Sequence, residues 1–433
     1  MRTTLFGLFA VFLALNGLAS VSILGIPLPW LGLAGTVAVA SRFLAGPRRL
    51  YEGLYFPVSL LLAWALVINL FNWPEFGRNL PLKANTSYAA YVILRYLTVF
   101  SFVASAVIVV RLCRAGHQQR VIQLVVKLGT LVAAYAIYVY LAQLYGLPEV
   151  LPRSRMGTGG GEQSTTFTYA FHRAIGSFRE PSHLAEWLMV PFVLSFAHNP
   201  KQFEPHKLLM GASILLTGSM TGIMSLLIGL GVSYVAIFLR PHRPRCSTKM
   251  VGRAFGGLAL GLLLVYGVDL ALSGLLLDTV EFRTKEIWSG GMIESNRNYV
   301  YEYLAETAFP FAGSGLGNAN IEFSTATGND LIASFLSLYL NTLYSLGFFG
   351  FGALVFLLGY PLYHVFRINA RSHGPSLFVL VWAYAAWLIA FGVHSEELTT
   401  MFAIAYALLF FKLFPKTAMQ QVAIAPATGG TAS

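Results

Sequence analysis

The chain has 433 residues, of which 56% are hydrophobic and only 11% charged, with a formal net charge of +11. A soluble domain is about a quarter charged and its core stops growing near about 250–300 residues, so a cytosolic enzyme, a disulfide-bonded secreted scaffold and a disordered chain are all excluded. The apolar residues instead form runs of about 17–25, the length that crosses a hydrocarbon slab about 30 Å thick.

The expectation is therefore a single integral membrane domain over residues 1–433, all-α and polytopic, with about twelve transmembrane helices. In chain order the runs fall at residues 5–24, 28–45, 54–71, 88–110, 121–147, 182–197, 207–217, 220–239, 254–277, 344–366, 376–393 and 398–414. Arg2 ahead of the first run has the look of a signal peptide, but the second run starts almost at once after Ile26-Pro27, which favours a retained helix. Arg42, Arg48, Arg49, Arg111, Arg114, Arg120, Arg240, Arg243, Arg245, Arg367 and Arg371 then share one face with little acidic opposition beyond Glu52 and Glu204. Basic residues accumulate on cytoplasmic loops, so both termini are expected in the cytoplasm, and the positive charge reads as topology rather than as binding to nucleic acid. Cys113 and Cys246 fall in these basic loops, where a disulfide is not expected.

Residues 207–239 are too few for two full crossings, yet both flanks are basic. This predicts a hairpin of two short helices with Thr217-Gly218-Ser219-Met220-Thr221-Gly222 at its outer tip. Residues 331–366 are too many for one crossing, which predicts an interfacial helix near 331–341 leading into the span. Gly257-x-x-x-Gly261 allows close helix packing. Two outer loops, 148–181 and 278–330, are long enough to imply a functional role. The absence of any visible repeat argues mildly against a transporter.

Chemistry-bearing side chains concentrate at the outer face. The first long loop ends in His172, Arg173, Arg179, Glu180, His183 and Glu186, with the last two spaced to share a helical face. A carboxylate in the first turn of a span is costly unless it is paired or functional. The second loop carries Arg283, Lys285, Arg297 and the glycine-rich stretch 310–318, read either as a backbone that a large substrate approaches closely or as a plain turn. Arg95 and Asp269 lie at similar depth inside the fourth and ninth spans, which suggests either a structural pair or a ligand role for Arg95. His394, Glu396 and Glu397 read as a solvated outer turn, or as the border of an entrance.

The ordered set Arg173-x-x-Gly176-Ser177-Phe178-x-Glu180-Pro181-Ser182-x-Leu184-Ala185, Leu216-Thr217-Gly218-Ser219, Arg297, Pro310-Phe311-Ala312-Gly313-Ser314-Gly315-Leu316-Gly317-Asn318 and Tyr339-Leu340-x-x-Leu343-Tyr344-x-Leu346-Gly347-Phe348-Phe349-Gly350 resembles the O-antigen polymerases and ligases with their exopolysaccharide polymerase relatives. The resemblance covers residues 173–366 and is moderately specific. It implies a GT-C-like architecture with two long outer loops in the bacterial inner membrane. The implied activity is that of a metal-independent inverting glycosyltransferase without a cofactor. Such an enzyme moves a glycan from an undecaprenyl-pyrophosphate donor to a lipid-linked repeat unit at the periplasmic face, in O-antigen, capsule or exopolysaccharide assembly. The implied partners are lipid-linked oligosaccharide, membrane lipids and a chain-length regulator protein. Leu336-Ser337 stands where ligases carry His-Asn, which weighs for a polymerase over a ligase to lipid A core. A flippase for lipid-linked glycans is the third reading.

Cleaving an anomeric C–O bond to pyrophosphate leaves negative charge on the departing group, which fixed guanidinium groups stabilise. Arg173, Arg179 and Arg297 are the first candidates, followed by Arg283 and Arg95. An acceptor hydroxyl needs a base, for which Glu180 comes first, His183 second and His172 third.

Overall fold

The structure is a computed structural model, and it describes residues 2–23, 26–41, 50–76, 79–81, 87–148, 173–178, 180–198, 205–238, 298–328, 332–367 and 374–414. The described residues are all-α apart from a two-residue antiparallel strand pair, Ser22–Ile23 with Ile26–Pro27. In chain order the helices are α1 (Arg2–Asn16), α2 (Leu28–Ala40), α3 (Phe56–Phe76, entered through a wide turn at Tyr51–Tyr55), α4 (Tyr88–Leu112), α5 (Gln118–Tyr145), α6 (Pro181–His198), α7 (Pro205–Leu216) and α8 (Met220–Phe238). They continue with α9 (Asn298–Glu306), α10 (Asn318–Ala326), α11 (Leu338–Arg367), α12 (Gly374–Val393) and α13 (Thr400–Leu413).

Among the described residues, three continuous helical stretches are long and apolar enough to cross a membrane: Tyr51–Phe76, Tyr88–Tyr145 and Leu338–Arg367. The 58 residues of Tyr88–Tyr145 would rise far beyond one bilayer. They divide into α4 and α5 at Gly116, whose φ of 83° only glycine adopts easily. Shorter apolar helices, α2 and α13 among them, pack on α4. The run expected at 254–277 lies outside the described residues, as do 149–172 and 239–297, which hold parts of both long loops.

The core centres on α13. Met401 through Phe410 are all at most 2% exposed, with α13 packed between α4 and α12. Aromatic rings fill this core: Phe402 stacks on Phe102, while Tyr384 and Tyr406 meet it from neighbouring turns. A hydroxyl or indole N–H buried so deeply is costly without an acceptor, and three here have one. Tyr406 Oη donates to the Gly53 carbonyl at 2.6 Å, Tyr384 Oη to Leu358 at 2.7 Å and Trp382 Nε1 to Leu226 at 2.8 Å. Each bond ties one helix to the backbone of another. Elsewhere α6 packs on α5, and α8 lies along α12.

The stretch 207–239 forms two helices, α7 and α8, joined through Thr217–Ser219 as the length argument requires. Thr217 Oγ1 accepts from Ser219 N–H and Ser219 Oγ from Gly222 N–H, so the hydroxyls complete the turn. The segment 331–341 departs from expectation. Residues 332–337 are not helical; helix starts at Leu338 and is broken at Gly347, with φ 63° and ψ −165°. That conformation belongs to glycine alone.

A broken helix inside a bilayer leaves carbonyls without partners. Here the stretch 310–318 supplies them. Ser314 N–H donates to Tyr344 O at 3.2 Å and Gly315 N–H to Ser345 O at 2.7 Å, while Trp64 Nε1 of α3 reaches Leu346 O at 2.9 Å. On the other side of the break, Phe348 N–H donates to Phe311 O at 3.2 Å. A Cβ on Gly313 would run into the backbone at Ser345–Gly347, so glycine is required for this contact. The glycine-rich stretch is thus more than a plain turn: Phe311, Ser314 and Gly315 pair with the protein's own helix, while Leu316 and Gly317 line a cavity.

Candidate functional site

One end of the bundle gathers the ionisable residues, around the turn 394–399 between α12 and α13. Ser87 caps α4 by accepting from Ala90 N–H, and Arg95 follows two turns into the helix. Tyr91, one turn earlier, accepts from Arg95 Nε at 3.2 Å and Nη2 at 3.0 Å, and its ring lies 5.0 Å below the guanidinium carbon. Arg95 Nη1 bonds the Glu397 carboxylate. The arginine side chain is 17% exposed and that of Glu397 40%, so the ion pair has one protected and one open partner.

Glu396 faces inward. It accepts from Leu336 N–H at 3.0 Å and lies 3.4 Å from Asn320 Nδ2. Leu336 has a φ of 54°, the one positive value outside glycine among the described residues, and this strain aims its N–H at the carboxylate. Burial pushes the Glu396 carboxyl above its ordinary value, although Arg95 draws it the other way. The floor beneath is rigid: Tyr91 Oη donates to Gly317 O, Tyr88 Oη to Asn318 Oδ1, and Asn69 holds both the N–H and the carbonyl of Leu316. Arg95, Thr98, Asn341, Thr342, Glu396 and Glu397 supply the polar lining of a cavity of about 40 Å³, room for a few water molecules.

The same turn carries His394 toward a second cluster at the start of α6. His394 Nδ1 lies 2.8 Å from Glu186 Oε1, with both side chains 8% exposed. His183 meets His394 edge to face at 5.3 Å between ring centres. Glu180 is exposed and accepts from Ser182 Oγ at 3.3 Å. The ligand atoms of Glu180, His183 and His394 all lie within 4.8 Å of one another.

Below this cluster the chain from Arg173 to Phe178 is fixed from several sides. Ala174 N–H donates to Leu216 O at 2.8 Å, Ser177 Oγ to Gly17 O at 2.6 Å and Ser20 Oγ to Ser177 O at 2.8 Å. Arg173 Nε donates to Thr217 O at 2.6 Å, so it ties down the end of α7.

Among the residues expected to act, Glu180 and His183 come together, and Arg95 lies beside the neighbouring cavity. Arg173 is not among that cavity's lining residues. Arg179, Arg283 and Arg297 lie outside the described residues, as does His172. Arg95 pairs with Glu397 across 302 positions; Asp269, the partner considered from the sequence, lies outside the described residues. One expectation needs correction: the turn His394–Glu396–Glu397 is not a solvated one, because each of its ionisable groups engages a partner on another element. Depth along a span does not reveal which helices are neighbours. The available signal was density: three ionisable residues within four positions of a chain that is 11% charged.

No protein-family model matches the chain, and no curated protein is significantly similar to it.

Proposed function

We propose that the chain is a polysaccharide polymerase of the inner membrane, with the turn 394–399 at its periplasmic face. It transfers a glycan from an undecaprenyl-pyrophosphate donor to the free end of a lipid-linked repeat unit, and a chain-length regulator sets the product's size. The observation that carries this reading is Arg95: a guanidinium fixed by Tyr91 inside a membrane-length helix, facing a half-open carboxylate. A phosphate oxygen of a lipid diphosphate makes the same charge-assisted bond that Glu397 makes. Proton acceptors, Glu180 and His183, stand one short turn of chain away through His394.

In the reaction the acceptor hydroxyl gives its proton to Glu180 or His183, and its oxygen forms a bond to the anomeric carbon. The bond from that carbon to the pyrophosphate oxygen breaks, and the electron pair leaves with undecaprenyl pyrophosphate. Attack opposite the leaving group inverts the centre. Arg95 steadies the departing charge in surroundings poor in water, where a fixed cation is most effective. Arg173, Arg179, Arg283 and Arg297 are the further candidates for the diphosphate.

The test is reconstitution of the purified chain with a lipid-linked repeat unit. A ladder of products and release of lipid diphosphate are expected, and Arg95→Gln should slow the ladder by about 100-fold or more. An unchanged glycolipid with folded protein overturns the assignment. A single attachment to another acceptor would instead mark a ligase.

A further inference from the structure

We propose that Glu180, His183 and His394 form a binding site for a divalent transition-metal ion, with Glu186 orienting His394 from behind. The donor set is two imidazoles and one carboxylate, drawn from the start of α6 and from the α12–α13 turn, with the ligand atoms within 4.8 Å of one another. Tetrahedral zinc with bonds of about 2.1 Å sets its ligands about 3.4 Å apart. Glu180 and His183 are exposed, so their side chains have room to turn toward an ion.

The strongest feature is behind the ligands. A metal-binding histidine almost always has its other ring nitrogen held by a carboxylate or carbonyl. His394 Nδ1 lies 2.8 Å from Glu186 Oε1, both nearly buried, so a carboxylate stands against one of the two ring nitrogens. Glu186 sits on α6 three residues after His183, and Glu180 immediately precedes that helix, so one short stretch supplies two ligands and the carboxylate beside the third. The carboxylates of Glu180 and Glu186 balance the charge of a dication. Nitrogen donors with one carboxylate select zinc and its neighbours over magnesium or calcium, which take oxygen.

Ion binding is read without the transferase reaction, so either proposal can fail alone; where both hold, the bound ion occupies Glu180 and His183, the two groups proposed as the base, and zinc should inhibit transfer. Isothermal titration of the purified full chain in detergent with Zn²⁺, with metal content measured after desalting, is the experiment. One ion per chain is expected. Binding should be lost in His394→Ala, fall at least tenfold in Glu180→Gln, and weaken by about 10–100-fold in Glu186→Gln. His364→Ala, at a histidine packed among Tyr360, Tyr363 and Phe414, should change nothing. Glu180 is exposed, so Glu180→Gln keeps the fold and its thermal unfolding should match the parent chain. No saturable binding, or undiminished binding in both His394→Ala and Glu180→Gln, overturns the site.

Discussion

Arg95 and Glu396 show how a low-dielectric site sets the cost of a charge. Arg95 carries a permanent positive charge, and Tyr91 and Glu397 both accept from it. Removing it in Arg95→Ala leaves two carboxylates without their cation. The expected loss is about 1.5–3 kcal/mol, the scale of a charge-assisted hydrogen bond, read as a lower unfolding temperature in detergent; Glu397→Gln should relieve part of it in a double-mutant cycle. Glu396 works the other way. Its carboxyl is raised above the ordinary 4.5 because burial outweighs Arg95 and the hydrogen bonds. The folded state therefore holds that proton to higher pH than the unfolded state. Its contribution is full below pH 4.5 and is lost as pH rises through the raised value. Thermal unfolding followed upward from pH 4.5 should show stability falling with pH in the parent chain, and a flatter profile in Glu396→Gln. An equal slope in both would remove Glu396 from the account. Arg95 was legible in the sequence as an expensive charge within a span, but its partner was not, since Glu397 lies 302 residues away.

The broken α11 is the element whose behaviour hydropathy conceals. Its apolar run continues through Gly347 without a polar residue at the break, so the sequence shows one span with a surplus of length. Only the pairing of residues 310–318 with both sides of Gly347 explains the surplus. A methyl group at Gly347 would meet the Phe311 carbonyl and the Ala312 backbone, in a φ/ψ region closed to alanine. Gly347→Ala should cost at least about 1–3 kcal/mol from backbone strain alone. Gly352→Ala, five residues further on and with nothing within 4 Å of the new Cβ, should be neutral or stabilising, by up to about 1 kcal/mol. Comparing their unfolding temperatures isolates the break: equal values would mean that the docking of 310–318 carries no stability. The α7–α8 hairpin, by contrast, was legible, because a stretch too short for two full spans between basic flanks leaves few alternatives.

For the molecule as a whole, apolar run length located most of the described helices, since a bilayer demands about twenty apolar residues per crossing, but not α9 and α10, which fall inside the expected outer loop 278–330. Charge asymmetry predicts which ends face the cytoplasm, and labelling can test it. With Cys113 and Cys246 replaced by Ser, Leu147→Cys after α5 should react with a membrane-impermeant maleimide from outside the cell. Gln119→Cys at the α4–α5 bend should react only after the membrane is opened; both positions are exposed. The reverse pattern would invert the orientation and move the candidate site to the cytoplasm. The site itself was half legible: its α6 residues stood out as a cluster, whereas the α12–α13 turn looked like ordinary hydrophilic punctuation.

The docking of 310–318 against Gly347 also bears on biogenesis. The ribosome makes the plug about thirty residues before the gap it fills, and Trp64 of α3 earlier still. As the first half of α11 leaves the translocon, the N–H groups that will satisfy its carbonyls are already synthesised, so its transfer into lipid need not wait for anything downstream.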